Sequence, residues 1–457
     1  MSALAQKVIP ARRKLLASKS PKTRILIVSD NPAASRSVAV SLRGLDFDVL
    51  LCLFDGRTLT STPVKAPDAI LCHLTDYVEM SPKIAKVVRQ HYAPRQLPLI
   101  GALSRPAKGL TDEFDSTVFA PMHASQIANR VSSMIRLGTI EAEIHRRVAT
   151  LREDFNEDVE LGDMSPDRPF RVLFIGKASP AFMVVINALQ DKGVEVVAAF
   201  TSFSAFDYLH GDPFDAVIMN ALEQPEPALS ISETMRKNTK LYHVPTLFLV
   251  NDSFEDRDTA YARGARDIVS VKAEPEEIRG RILELANYHR VHEQMKRELF
   301  ELVSDKHRDG SGTVFSRTFF DAHLVRCVDY AAKTQQNLSL IGLSFTPDSF
   351  DTIENDSIEN ALVETGVMIQ DMVRMQDVVC RHEDGFLMAL NETSELDAQH
   401  VLDRIKPLLE TFSFKTTSAG ITALTLSAST AILEVKSGET ASQALRSLLH
   451  ELEQASV

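Results

Sequence analysis

Over roughly the first 300 residues, apolar positions fall into short continuous runs separated by longer stretches with a helical period. Runs such as RILIV at Arg24–Val28 and AILC at Ala69–Cys72 lack the alternation of a half-exposed strand. Continuous runs of this length, bounded by turn residues, fit strands covered on both faces of a parallel sheet, with the amphipathic stretches as crossover helices. The pattern occurs twice, displaced by 147 residues. Arg24–Ser29 matches Arg171–Gly176, Leu42 matches Leu189, and Asp48–Val49 matches Glu195–Val196. Asp68–Ile70 likewise matches Asp215–Val217, and Pro98–Ile100 matches Pro245–Leu247. The chain therefore predicts two α/β domains, over 22–150 and 169–300, each with a five-stranded parallel sheet.

Segment 151–168 is acidic and closes on Pro and Gly, which predicts an exposed linker. From Glu274–Pro275 a long helix is predicted, with Ile278, Ile282, Leu285, Tyr288 and Val291 along one face. Its first half is expected to pack on its own domain and its second half to lead into a third domain over 301–457. There Asp384–Gly385, between the apolar runs Val378–Arg381 and Phe386–Leu390, predicts a type I′ hairpin turn.

Composition narrows the function. At 44% hydrophobic and 25% charged, with Lys+Arg 50 against Asp+Glu 62, the chain has the make-up of a globular protein with a net charge of −12. That balance argues against nucleic-acid binding through phosphates. No apolar run is long enough to insert in a membrane. The segment 1–21 is basic, lacks an apolar core and predicts a disordered arm. Cys52, Cys72, Cys327 and Cys380 are scattered without a CxxC, the pattern of buried thiols in a reducing cytoplasm rather than of a metal or disulfide site.

The candidate chemistry concentrates in RMQDVVCRHEDGF, Arg374–Phe386. Arg374 and Asp377 place a guanidinium and a carboxylate one helical turn apart, able to grip the acceptor edge and the N–H donors of a guanine. The plainer alternative is a surface ion pair.

The two repeated domains resemble response-regulator receivers, with a flavodoxin-like sheet. The third resembles the GGDEF diguanylate cyclases, an α+β fold. The whole chain is similar to the receiver–receiver–GGDEF architecture of the PleD-type regulators. At the phosphoacceptor positions stand His73 and Asn220, and at the metal-binding acids Ser29–Asp30 and Gly176–Lys177. Ala120 occupies the lysine position of the first copy, and Lys272 lies one residue from it in the second. Neither His73 nor Asn220 can form an acyl phosphate, and Asp55 and Asp76 read as ordinary loop acids. The receivers are expected to be docking or dimerisation modules.

In the GGDEF family an Ile-Asp-Ile-Asp strand ligates Mg²⁺; here it is Ile341–Gly342–Leu343–Ser344. The guanine-reading Asn and Asp correspond to Phe350 and Glu359, and the paired glycines of the catalytic turn to Glu383 and Asp384, followed by Gly385 and Phe386. The resemblance implies that catalysis is lost. It also implies that the RxxD inhibitory site is kept, as Arg374, Asp377 and a downstream Arg404. The expected ligand is cyclic di-GMP, with no metal or cofactor. By the same resemblance the protein is a cytoplasmic homodimeric adaptor at the cell pole, passing cell-cycle substrates to the ClpXP protease. A ligand-independent scaffold and a residual cyclase are the alternatives.

Overall fold

The computed structural model describes residues 23–455 apart from 56–57, 61–66, 94–96, 105–112, 121, 162–167, 191–192, 239, 348–354, 412–413, 416–422 and 425. The basic arm, Pro121 and Phe350 lie outside them. The chain forms two compact units, one holding 23–305 and one 306–457.

The first unit contains both repeats. The first comprises β1 (Arg24–Ser29), α1 (Pro32–Gly44), β2 (Asp48–Phe54), β3 (Leu59–Thr60), β4 (Ala69–Leu74), α2 (Ser81–Tyr92), β5 (Leu99–Leu103), β6 (Ser116–Phe119) and α3 (Ala124–Asp154). The order is β3-β2-β1-β4-β5-β6, five parallel strands with β3 added antiparallel at the edge of β2. The second comprises β7 (Phe170–Ile175), α4 (Pro180–Leu189), β8 (Val194–Ala199), α5 (Ser202–Gly211), β9 (Ala216–Asn220), α6 (Pro225–Lys237), β10 (Thr246–Val250), α7 (Arg257–Ala262), β11 (Asp267–Ser270) and α8 (Pro275–Glu301). Its order β11-β10-β9-β7-β8 is the flavodoxin-like 2-1-3-4-5 arrangement, shared by the five parallel strands of the first repeat.

The repeated residues make the same bonds twice. Asp68 accepts from the Arg24 amide at 2.7 Å, and Asp215 from the Arg171 amide at 2.8 Å. Arg24 Nε donates to Asp48 at 2.8 Å, and Arg171 Nε to Glu195 at 2.9 Å. Each pair ties the entrance of a first strand to its neighbours, where the ladder would otherwise leave the backbone amide unpaired.

The helix α3 is longer than expected: it runs to Asp154, so 151–154 of the predicted linker are helical. It packs on α8 through a buried charge cluster. Arg130 reaches Asp267 and Glu284, each at 3.2 Å, Arg281 reaches Asp267 at 2.9 Å, and Gln126 donates to Asp267 at 2.7 Å. His123 stacks on Tyr261, with centroids 5.0 Å apart. The two repeats are thus joined along their last strands and helices. On α8, Ile278, Ile282 and Leu285 enter the core of the second repeat. Beyond them the buried positions are Ala286, His289, Arg290, His292, Met295 and Leu299, not the expected Tyr288 and Val291, because the helix there also faces α3.

The second unit comprises α9 (Arg317–Thr334), β12 (Leu338–Pro347), α10 (Asn355–Met372), β13 (Val378–His382), β14 (Gly385–Asn391), α11 (Glu395–Thr411), β15 (Phe414–Lys415), β16 (Ala423–Leu424), β17 (Leu426–Glu434) and α12 (Ala441–Ala455). Its main sheet is antiparallel, in the order β13-β14-β12-β17. Ile341, Leu343 and Phe345 alternate onto the face covered by α10 and α11, whereas Gly342 faces α12. Among the described residues, no helix is long and apolar enough to cross a membrane.

Candidate functional site

In the first repeat, His73 sits at the end of β4, 4% exposed. Its Nδ1 lies 2.6 Å from the Ser35 hydroxyl, which donates onward to the Ser29 hydroxyl at 2.5 Å. Burial pushes the imidazole pKa down, and the nearby Asp30 only partly opposes this. Asp30 caps the loop after β4, accepting from the amides of Thr75, Asp76 and Tyr77 at 2.7–3.1 Å. The acid at the metal position is therefore already engaged in backbone hydrogen bonds. In the second repeat, Asn220 donates to Ser179 at 3.1 Å and accepts from the Leu222 amide at 3.3 Å. Gly176, at φ +143°, lies so close that a Cβ would stand 2.5 Å from the Asn220 Cβ. Lys272 is paired with Asp252 at 3.3 Å.

In the second unit, Gly342 is buried in the middle of β12. A Cβ there would meet the Leu452 side chain at 3.1 Å and Leu448 at 3.6 Å, so apolar side chains of α12 fill the space a carboxylate would need. Ser344, two residues on, is half-buried and supplies only a hydroxyl. Magnesium requires several hard oxygen ligands, and the side chains at these two positions do not fit it. Glu359 is exposed and paired with Arg381 at 3.1 Å. Arg381 also donates to the Glu383 carbonyl at 2.8 Å and lies 5.6 Å from the Phe386 ring centroid. Phe386 itself is a core residue, 1% exposed.

The hairpin differs from the predicted one by a residue. His382 pairs with Gly385, so the two-residue turn is Glu383–Asp384, with Glu383 left-handed at φ +48°. Gly385 belongs to β14, opposite Ser344. Both turn carboxylates are exposed. His382 is held by Arg317 at 2.7 Å, and its pKa is lowered by burial and by that guanidinium.

Arg374 and Asp377 lie in a turn between α10 and β13, not on a helix. The Asp377 carboxylate, 3% exposed, accepts from the Arg374 amide at 3.0 Å, while the Asp377 amide donates to the Arg374 carbonyl at 2.9 Å. Asn391 pins the same turn by donating to the Gln376 carbonyl at 3.3 Å. Asp377 thus faces inward and shapes the turn; it does not pair with the Arg374 side chain. The Arg374 guanidinium is exposed and has no hydrogen-bond or ion-pair partner among the described residues. Arg404, exposed on α11, donates to the carbonyl of Met372, the last residue of α10. A cation there also suits the negative end of the helix dipole. The structure therefore brings Arg404 beside the turn that carries Arg374, across thirty positions of sequence. The sequence reading missed the Glu359–Arg381 pair, whose only signal was an arginine on β13 facing the acid-bearing helix.

Residues 306–456 match the family described as diguanylate cyclase, GGDEF domain, and this part of the chain is a GGDEF domain. The two sheets before it have the flavodoxin-like strand order. Among solved structures, the chain is similar to the diguanylate cyclase SiaD of Pseudomonas aeruginosa in complex with its activator SiaC. The identity is 27% over 39% of this chain and 68% of that one, with a TM-score of 0.32. The GGDEF domain of DgcB from Caulobacter crescentus, in complex with c-di-GMP, is 19% identical over 34% of this chain and 89% of its own, with a TM-score of 0.31. A response regulator from Thermotoga maritima is 21% identical over 26% of this chain and 98% of its own, with a TM-score of 0.23. No curated protein matches the chain.

Proposed function

We propose that the protein is a catalytically inactive GGDEF effector that binds cyclic di-GMP at the α10–β13 turn and relays its presence to protein partners. The observation that carries this reading is the Arg374 guanidinium, exposed and without a partner among the described residues, on the turn that follows the helix end touched by Arg404. A dianionic dinucleotide on this surface would offer phosphate and guanine acceptors to the planar donors of both arginines. Arg404 spends one N–H on Met372 and keeps other donors for a ligand. Asp377, turned inward, serves by holding the turn in shape. Catalysis is set aside because the strand position that should hold a metal carboxylate is Gly342, packed under Leu452.

Calorimetric titration tests the reading. Wild type is expected to bind cyclic di-GMP, and Arg374→Ala to bind at least about tenfold more weakly, near 1.4 kcal/mol. Equal binding by both, or by neither, sinks it. With GTP and Mg²⁺, no cyclic product is expected.

The second reading, a scaffold indifferent to nucleotide, is favoured by the structural work Asp377 and Arg404 already do. Recovery of partners with and without cyclic di-GMP separates the two. Under the effector reading the partners, including a second copy of the chain, dock on the receivers, which lack a phosphoacceptor Asp. A role at the cell pole, delivering cell-cycle substrates to ClpXP, extends the resemblance to degenerate PleD-type regulators.

A further inference from the structure

We propose that the joint between the two receivers binds a phosphate-type oxyanion, bridged by Arg136 of the first and Arg266 of the second. Deeper in the joint the cations are matched: Arg130 has Asp267 and Glu284, and Arg281 has Asp267. Arg136 and Arg266 have no carboxylate, and no hydrogen bond involves either guanidinium among the described residues. From Ala124 to Ile140, α3 carries no acid at all.

The placement is fixed by backbone contacts. Arg266 immediately precedes β11, and its amide donates to the Thr246 carbonyl at 2.9 Å. Asn129 of α3 donates to the carbonyl of the adjacent Ala265 at 3.4 Å, and Arg136 lies two helical turns further along that face. Arg236 approaches from α6, donating to the Ala262 carbonyl at 2.5 Å. Arg266 is half-buried. Burial depresses its pKa, Tyr288 partly opposes this, and the like charges of Arg136, Arg130 and Arg236 add to the lowering.

A polar atom at this place also lacks a partner among the described residues: the Tyr288 hydroxyl, close enough to act on Arg266, is buried with no hydrogen bond. Glu293, the neighbouring acid on α8, is engaged by His292 at 3.4 Å. Buried polar groups are ordinarily satisfied, and an unpaired cation half out of water is costly. An oxyanion accepting from two guanidiniums and a phenol would satisfy all three, with entry along the exposed Arg136. These residues all belong to the receivers, so the proposal does not depend on Arg374.

The test uses the full chain, melted in rising inorganic phosphate with chloride adjusted to constant ionic strength. Phosphate is expected to raise the melting temperature of wild type. Its apparent affinity should fall about tenfold or more in Arg136→Gln and Arg266→Gln, the usual weight of a charge-assisted contact. Tyr288→Phe should weaken it less, and Lys237→Gln on the exposed end of α6 should leave it unchanged. Arg136 is exposed, so its variant keeps the test valid should Arg266→Gln fail to fold. Guanosine monophosphate is run in parallel: stronger protection than phosphate assigns a nucleotide phosphate, weaker or equal protection a free oxyanion. Identical melts in phosphate and chloride, or undiminished protection in Arg136→Gln, overturn the proposal.

Discussion

A methyl group added at Gly385 would lie 1.8 Å from the Leu343 carbonyl oxygen, inside the pairing of β12 with β14. Backbone cannot yield there without opening the central ladder, so Gly385→Ala is expected to lose at least about 3 kcal/mol in urea unfolding. A loss under about 1 kcal/mol would contradict the strand register. Glu383 is the opposite case. It holds a left-handed φ of +48° on an exposed tip, where a side chain is disfavoured. Glu383→Gly is expected to gain about 0.5–1 kcal/mol. It should nevertheless produce no cyclase activity, since Gly342 stays under α12; appearance of cyclic di-GMP synthesis would refute the inactive reading. The glycine in EDGF was legible as a constraint, but not as a strand residue. A turn signal does not say which neighbour closes the hairpin, and the pairing of β14 with β12 decides it.

Among elements, α3 and α8 join the two α/β repeats through Asp267, fully buried and contacted from both sides by Arg130, Arg281 and Gln126. Removing one member leaves charge buried without its partner, at about 3–5 kcal/mol. Arg130→Met is therefore expected to split thermal unfolding of the two repeats into two transitions in calorimetry. A single transition at the wild-type temperature would argue that this cluster does not couple them. The internal repeat announced the strands, since buried runs and the paired acids recur at one displacement. It did not announce the joint. Arg130 and Asp267 stand far apart in the chain, and nothing local marks a helical arginine as the partner of a strand-entry acid.

For the molecule as a whole, stability should fall in two steps on acidification. Burial holds the imidazoles of His73 and His289 below their ordinary value, and brings His243 down to about 3 with help from His292. With folded pKa values below unfolded ones, the neutral rings contribute fully above about pH 6.5, and that contribution is lost as pH falls below it. Glu293, lowered to about 2 by its bond to His292, contributes above the ordinary carboxylate range and is lost further down. Asp215 behaves likewise: burial raises its pKa, but Arg290, the Arg171 amide and Arg168 together outweigh that. Melting temperatures between pH 8 and 5 should therefore decline before the carboxylates titrate. A flat profile from pH 7.5 to 5.5 would show that the histidines are not buried as described.

The sequence by itself determined the two α/β repeats and the GGDEF domain, because these are properties of local pattern and residue identity. Arg374, Asp377 and Arg404 were legible as candidates, yet their division of labour was not. Only the tertiary structure turned Asp377 inward to hold the Arg374 amide and set Arg404 against the end of α10. Among the described residues, it also left Arg136 and Arg266 without carboxylates where the two repeats meet. Whether a charged side chain is free for a ligand depends on which distant groups the fold brings within hydrogen-bonding reach, and no spacing along the chain encodes that.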